Sequence, residues 1–135
     1  MAKKVLIIDG QGGNIGRQLV KQVTERFPEA ELLAVGTNSI ATENMLKAGA
    51  RSAATGENAV IVSSKRADVI IGPIGIVIAD ALMGEVTPKM SEAVGASDAV
   101  RILIPMNRCD TLVAGANDSL GNYLLDAMEK LKEVL

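Results

Sequence analysis

Between Val5 and Gly16 the chain reads VLIIDGQGGNIG. Val5 to Ile8 form a short run of apolar, mostly β-branched residues, the pattern of a buried strand. Asp9 ends the run, and Gly10, Gly12, Gly13 and Gly16 then fall within seven residues. Immediately afterwards Ile15, Leu19, Val23 and Phe27 recur at helical spacing. Strand, glycine turn and amphipathic helix, in that order, make the opening of a βαβ unit of the kind that cradles nucleotide phosphates.

A chain leaving a parallel strand must reverse sharply to enter a helix packed on the sheet. Gly10 permits the tight turn without a Cβ, and Gly12 or Gly13 lets backbone N–H groups approach an anion. Gly16 lets the helix lie close to the strand. The unpaired N–H groups at the helix start favour a phosphate or carboxylate. Asn14 is the expected N-cap, and Gln11 and Ile15 lie in the same turn. The spacing Gly10, Gly13, Gly16 is G-x-x-G-x-x-G rather than G-x-G-x-x-G, a pattern also found in short-chain-dehydrogenase-like proteins. The alternative is a glycine set that only makes the turn.

Further along, Leu32 to Val35 reads as a second strand ending in Gly36-Thr37-Asn38-Ser39, with a helix after it. Ala50 to Ala54 reads as a third, ending in Thr55-Gly56-Glu57-Asn58. Asn58 to Lys65 is β-branched, but its place between two parallel strands asks for a crossover, so a short helix is expected there. Val69 to Ile71 is a fourth strand, closed by Gly72-Pro73-Ile74-Gly75. Residues 76–84 read as a nearly all-apolar, buried helix. Thr87-Pro88 opens another helix as N-cap and first-turn proline. Val100 to Ile104 is a fifth strand and Leu112 to Ala114 a sixth. The last helix starts near Ser119, with Leu124, Met128, Leu131 and Leu135 on one stripe. Met45, Met83 and Met128 read as core filler.

Strands alternating with helices predict one α/β domain: three layers, doubly wound and mainly parallel, with about five to six strands. The right-handed crossover rule makes the order 3-2-1-4-5, with strand six at an edge. In such a sheet the strand ends share one edge, where open α/β sheets bind ligands. The candidate site is therefore Asp9, Gly10, Gln11, Gly12, Gly13, Asn14, Ile15 and Gly16, with Thr37, Asn38 and Ser39. Thr55, Gly56, Glu57 and Asn58, then Gly72 and Pro73, and finally Asn107 and Arg108 complete it.

Side-chain chemistry narrows the ligand. A dinucleotide site usually places Asp or Glu at the end of strand two for the ribose hydroxyls, and here Gly36-Thr37-Asn38-Ser39 is neutral. That weakens NAD and leaves NADP, a mononucleotide or another anion. Arg108 is either a bidentate clamp for phosphate or a solvated loop residue. Asp9 and Glu57 are acid/base candidates, although Asp9 can equally brace the turn through its backbone.

Composition excludes other classes. The chain has 135 residues, no histidine and a single cysteine, Cys109. A Ser-His-Asp triad and a histidine-bound zinc are absent, and Cys109 has no imidazole to activate it. The lone cysteine forms no internal disulfide and suits a reducing cytoplasm. A net charge of −2 and only Phe27 and Tyr123 as aromatics argue against nucleic acid. The apolar run before Asp9 has only four residues, too few for a signal peptide, and the longest near-continuous apolar run, Val69 to Ala79, is too short to span a bilayer.

The segments DGQGGNIG, GTNSIAT, AGA with ATGEN, ADVIIGPIGI, GEVTPKM and ILIPMNRC together resemble a family of short bacterial proteins catalogued as a domain of unknown function. The resemblance spans nearly the whole chain and implies a Rossmann-like domain standing alone. It brings no reaction with it. The expected function is binding of a small nucleotide-like phosphate ligand, with NAD(P) or a mononucleotide as cofactor. One alternative is a small NAD(P)-dependent oxidoreductase completed by oligomerisation, because 135 residues barely complete the cofactor half of such an enzyme. Another is a structural or regulatory oligomer without ligand. A homodimer or higher homo-oligomer is expected, most simply a two-fold dimer, with the apolar 76–84 helix buried between the sheet and another subunit.

Overall fold

A computed structural model describes residues 2–106 and 111–135. β1 (Lys4–Asp9) alternates its side chains across the sheet: Val5 and Ile7 enter one core, Leu6 and Ile8 the other. A strand buried on both faces must be central, and β1 is. It pairs in parallel with β2 (Glu31–Gly36) on one side and β4 (Val69–Pro73) on the other. β3 (Ser52–Thr55) and β5 (Val100–Ile104) close the edges, giving the all-parallel order β3-β2-β1-β4-β5.

Helices cover both faces, as an all-parallel sheet requires. α1 (Asn14–Arg26), α2 (Ser39–Lys47) and α5 (Leu120–Val134) enclose one core around Leu19, Val23, Met45, Leu124 and Met128. α3 (Glu57–Arg66) and α4 (Pro88–Gly95) enclose the other around Val60, Met90 and Val94. The expected crossover helix after β3 is α3, despite its β-branched run. Thr87 caps α4 by accepting from the Met90 N–H at 3.1 Å, with Pro88 in the first turn.

Three expectations fail. Residues 76–84 are not a helix: one 3-10 turn, Ile74–Val77, is followed by a loop. Asp80, Leu82 and Met83 are left-handed, with φ of 65°, 57° and 58°, and Gly84 follows at 89°. The loop closes on itself, the Asp80 N–H donating to the Val86 carbonyl at 2.7 Å and the Val86 N–H to the Ala81 carbonyl at 3.1 Å. Hydrophobicity alone called for burial there, and burial is met at the two ends by Ile76 and Val86. Ile76 sits in this chain's own core, so the ground for placing a dimer contact on it disappears.

Second, residues 112–114 form no strand. The sheet has five strands among the described residues, and turns at Val113 to Asn117 with Gly115 at φ 84° take up that stretch. Leu112 is 85% exposed. Third, Leu135 and Met83 are surface residues, Met83 at 91% exposure, whereas Met45 and Met128 are buried as expected.

Candidate functional site

The strand ends meet at one edge, and β1 stands where the strand order reverses. Register carries the edge sideways: Asp9 pairs with Gly36, and Gly36 with Thr55. The glycine turn lies on this edge, and Asp9 braces it. Its buried carboxylate accepts from the Gly10 N–H at 2.8 Å and the Gly16 N–H at 2.6 Å. Bracing, not acid/base chemistry, is its visible work.

The glycines divide by purpose. Gly13 is left-handed at φ 73°, and a Cβ there would lie 2.8 Å from the Ala41 Cα. It is the N-cap of α1. Gly16 has no room for a Cβ, which would meet Met45 Sδ at 2.6 Å and Asp9 Cβ at 2.8 Å, so helix and strand pack directly. Gly72 would drive a Cβ into the Ile8 carbonyl of the neighbouring strand. Gly12 alone in the turn is exposed, with nothing within 4 Å of its Cβ position. The open space of the turn is therefore at Gly12.

Asn14 is not the N-cap. It is the first residue of α1, and its Oδ1 accepts from Arg17 Nη2 at 3.0 Å and Gln18 Nε2 at 3.3 Å. Gly13 occupies the cap in a left-handed conformation, which carries Asn14 into the helix. Ile15 is buried in the core. Among the described residues, the N–H groups of Gly12, Asn14 and Ile15 have no acceptor.

The residues after β2 converge on the turn. Asn38 caps α2 by accepting from the Ala41 N–H at 2.9 Å, while its Nδ2 donates to the Gln11 carbonyl at 2.9 Å. Ser39 opens α2 and is exposed. After β3, Thr55 pairs its hydroxyl with that of Thr42 at 2.7 Å, and Gly56 caps α3 at φ 103°. Glu57 and Asn58 open α3 on the same edge, and Pro73 ends β4. Asn107 and Arg108, like Cys109, lie outside the described residues.

The residue that sequence reasoning missed is Glu85. Its Oε1 accepts from the Gln11 N–H at 2.8 Å, the Thr37 hydroxyl at 2.7 Å and Asn38 Nδ2 at 2.7 Å. Burial raises the Glu85 pKa, but these three donors outweigh it and hold the carboxyl below the ordinary glutamate range. A carboxylate thus stands beside the neutral end of β2, delivered by the loop after β4. No local pattern in GEVTPKM announces that contact.

Recesses of about 360 and 280 Å³ open elsewhere, the first at Val23, Phe27 and Gly49, the second at Lys4, Leu33 and Arg66. They flank the amino ends of the strands and contain none of the candidate residues. Among the described residues, no three His, Cys, Asp or Glu side chains are grouped to hold a metal, and no helix is long and apolar enough to cross a membrane.

A five-stranded parallel sheet, helices on both faces and a glycine turn at the reversal of strand order define a Rossmann-like α/β domain. The family model described as "Domain of unknown function (DUF3842)" matches residues 4–135, and the chain belongs to that family. No curated protein and no solved structure matches it.

Proposed function

We propose that this chain binds a small phosphate-bearing ligand, a nucleotide or dinucleotide, at the carboxyl ends of β1, β2 and β4. The observation that carries the reading is the open start of α1. The Gly12, Asn14 and Ile15 N–H groups have no acceptor among the described residues and lie beside the one glycine of the turn with space around it. Helix-start N–H groups in such a turn favour an anionic oxygen, and the helix dipole adds to that preference. NAD, NADP or a mononucleotide would each present one. No reaction is part of the proposal.

The test is a calorimetric titration with ADP, NAD and NADP on the wild type and on Gly12→Val. Gly12 has open space and no left-handed φ, so valine is accommodated by the fold while covering the turn. The expected result is saturable binding of at least one ligand that Gly12→Val abolishes without a large change in melting temperature. Absence of binding by all three, or unchanged affinity in the folded variant, overturns the assignment. We also infer self-association, most simply a two-fold homodimer, from the exposed apolar side chains of Ile40, Leu46 and Leu125. A monomer mass by light scattering at micromolar concentration excludes it.

A further inference from the structure

The non-glycine residues with positive φ in the described chain are Gln11, Asp80, Leu82 and Met83. Three belong to the loop after β4, and the fourth is the turn residue whose N–H that loop engages. Strain of this kind persists only where surrounding contacts over-determine it. Here backbone hydrogen bonds close the loop on itself, the Asp80 N–H to the Val86 carbonyl and the Gly84 N–H to the Asp80 carbonyl among them, and two side chains hold it to the turn. Glu85 Oε1 takes its three hydrogen bonds from Gln11, Thr37 and Asn38. Leu82 covers Gly10 and Gly75: a Cβ at Gly10 would lie 2.8 Å from Leu82 Cδ1, and one at Gly75 3.5 Å from Leu82 Cδ2.

Gly10 is therefore glycine because Leu82, Thr37 and Glu85 crowd it, and its backbone has no left-handed φ to explain the choice. The side of the turn facing β2 and β4 already holds an anionic oxygen and an apolar group, both from this chain. Those are the two kinds of group that a nucleotide brings. We propose that residues 78–86 form an internal strap that occupies the ligand's place beside the glycine turn, so that binding requires the strap to lift.

Lifting frees the segment between Ile76 and Val86 and takes the partly buried Ala81 and Leu82 off the core they pack against. Ile76 and Val86 are buried at its two ends, and the Asp80 N–H to Val86 carbonyl bond closes its base. Its tip is open: Met83 is 91% exposed, and a Cβ at Gly84 would meet nothing within 4 Å. A phosphate on the open Gly12, Asn14 and Ile15 N–H groups brings negative charge close to the Glu85 carboxylate and repels it, while the rest of the ligand competes for the side of the turn that Glu85 and Leu82 hold. The inference rests on the phosphate-binding reading and adds its regulation: apparent affinity is lowered by the fraction of molecules with the strap closed.

The experiment compares wild type, Glu85→Gln and Leu82→Gly by calorimetric titration with ADP and with inorganic pyrophosphate. Hydrogen exchange of the amides in residues 78–86 is followed alongside. Glu85→Gln keeps the side chain's shape, and Leu82→Gly keeps a residue at ease with φ 57°. If one variant fails to fold, the other still reads the strap. The expected result is ADP affinity about ten-fold higher or more in the variants. The strap amides should exchange faster in the variants without ligand, and in the wild type only when ADP is saturating. Equal affinities in all three proteins overturn the strap and leave the site standing. Weaker binding by Glu85→Gln also overturns it, since Glu85 then belongs to the ligand's binding surface. No binding by any of the three overturns the site and the strap together.

Discussion

Glu85 Oε1 lies 2.8 Å from the Gln11 backbone nitrogen, a contact between residues 74 apart in sequence. It joins the loop after β4 to the turn after β1, and Thr37 and Asn38 bring the end of β2 into the same cluster. Three chain segments thus meet on one carboxylate oxygen, and its charge state governs how firmly they hold.

The pH dependence follows. Hydrogen bonds from Gln11, Thr37 and Asn38 outweigh burial and put the folded Glu85 pKa below the ordinary value of 4.5. A depressed carboxylate pKa contributes stability that is fully present above the unfolded value and is lost as pH falls through the folded one. The melting temperature of the wild type should therefore exceed that of Glu85→Gln above about pH 5, and the gap should close as the solution is acidified below 4.5. A gap constant across that range counts against a charged Glu85 in the cluster.

Gly12 and Gly13 should behave oppositely although they are neighbours. Valine at Gly13 meets both a φ of 73° and the Ala41 backbone 2.8 Å from its Cβ. The left-handed strain alone costs about 1–2 kcal/mol, and the clash adds to it. Valine at Gly12 meets open space, and its stability should stay within about 0.5 kcal/mol of wild type. Urea denaturation of the two variants measures the difference.

Gly16→Ala tests how tightly α1 sits on β1. The new methyl would lie 2.6 Å from Met45 Sδ and 2.8 Å from Asp9 Cβ. The thioether can move, but Asp9 is tied at both oxygens to the turn. Overpacking of this kind costs about 1–3 kcal/mol, read as a lower denaturation midpoint.

Among the cap residues, Asn38→Ala should cost about 1–2 kcal/mol, because Asn38 caps α2 and also donates to Gln11 and Glu85. Asn14→Ala should cost less than about 0.5 kcal/mol, because Asn14 makes only exposed contacts with Arg17 and Gln18. Thermal melts of the pair rank the two asparagines.

Ile76→Glu should unfold the domain at every protein concentration. Ile76 is 1% exposed within a single chain, and an unpaired charge there is costly. If the loss of stability instead vanishes at high concentration, Ile76 is covered by a partner subunit.

Much of the architecture follows from local pattern. The alternation of Val5, Leu6, Ile7 and Ile8 across a sheet, the glycine turn, and the helical stripe of Leu19 and Val23 are set by near neighbours. So are the caps at Thr87 and Ser119, where a side chain reaches an N–H only three residues away. Handedness of parallel crossovers then leaves β3-β2-β1-β4-β5 as the natural order.

The site depended on distance. Apolar composition in residues 76–84 called for burial but did not decide how, and the loop that carries the left-handed residues Asp80, Leu82 and Met83 is closed by its own backbone hydrogen bonds and held to the turn by Leu82 and Glu85. Gly10 looks like a turn glycine in sequence and is a space-making glycine in the fold. Local periodicity is settled by hydrogen bonds and side chains a few residues apart, so the sequence by itself determined the five strands, the five α-helices and the strand order, while the helix read over residues 76–84 and the strand read over 112–114 did not form. Which side chain fills the space beside the glycine turn was settled by contacts 47 to 74 residues apart, and only the tertiary structure decided that it is Glu85.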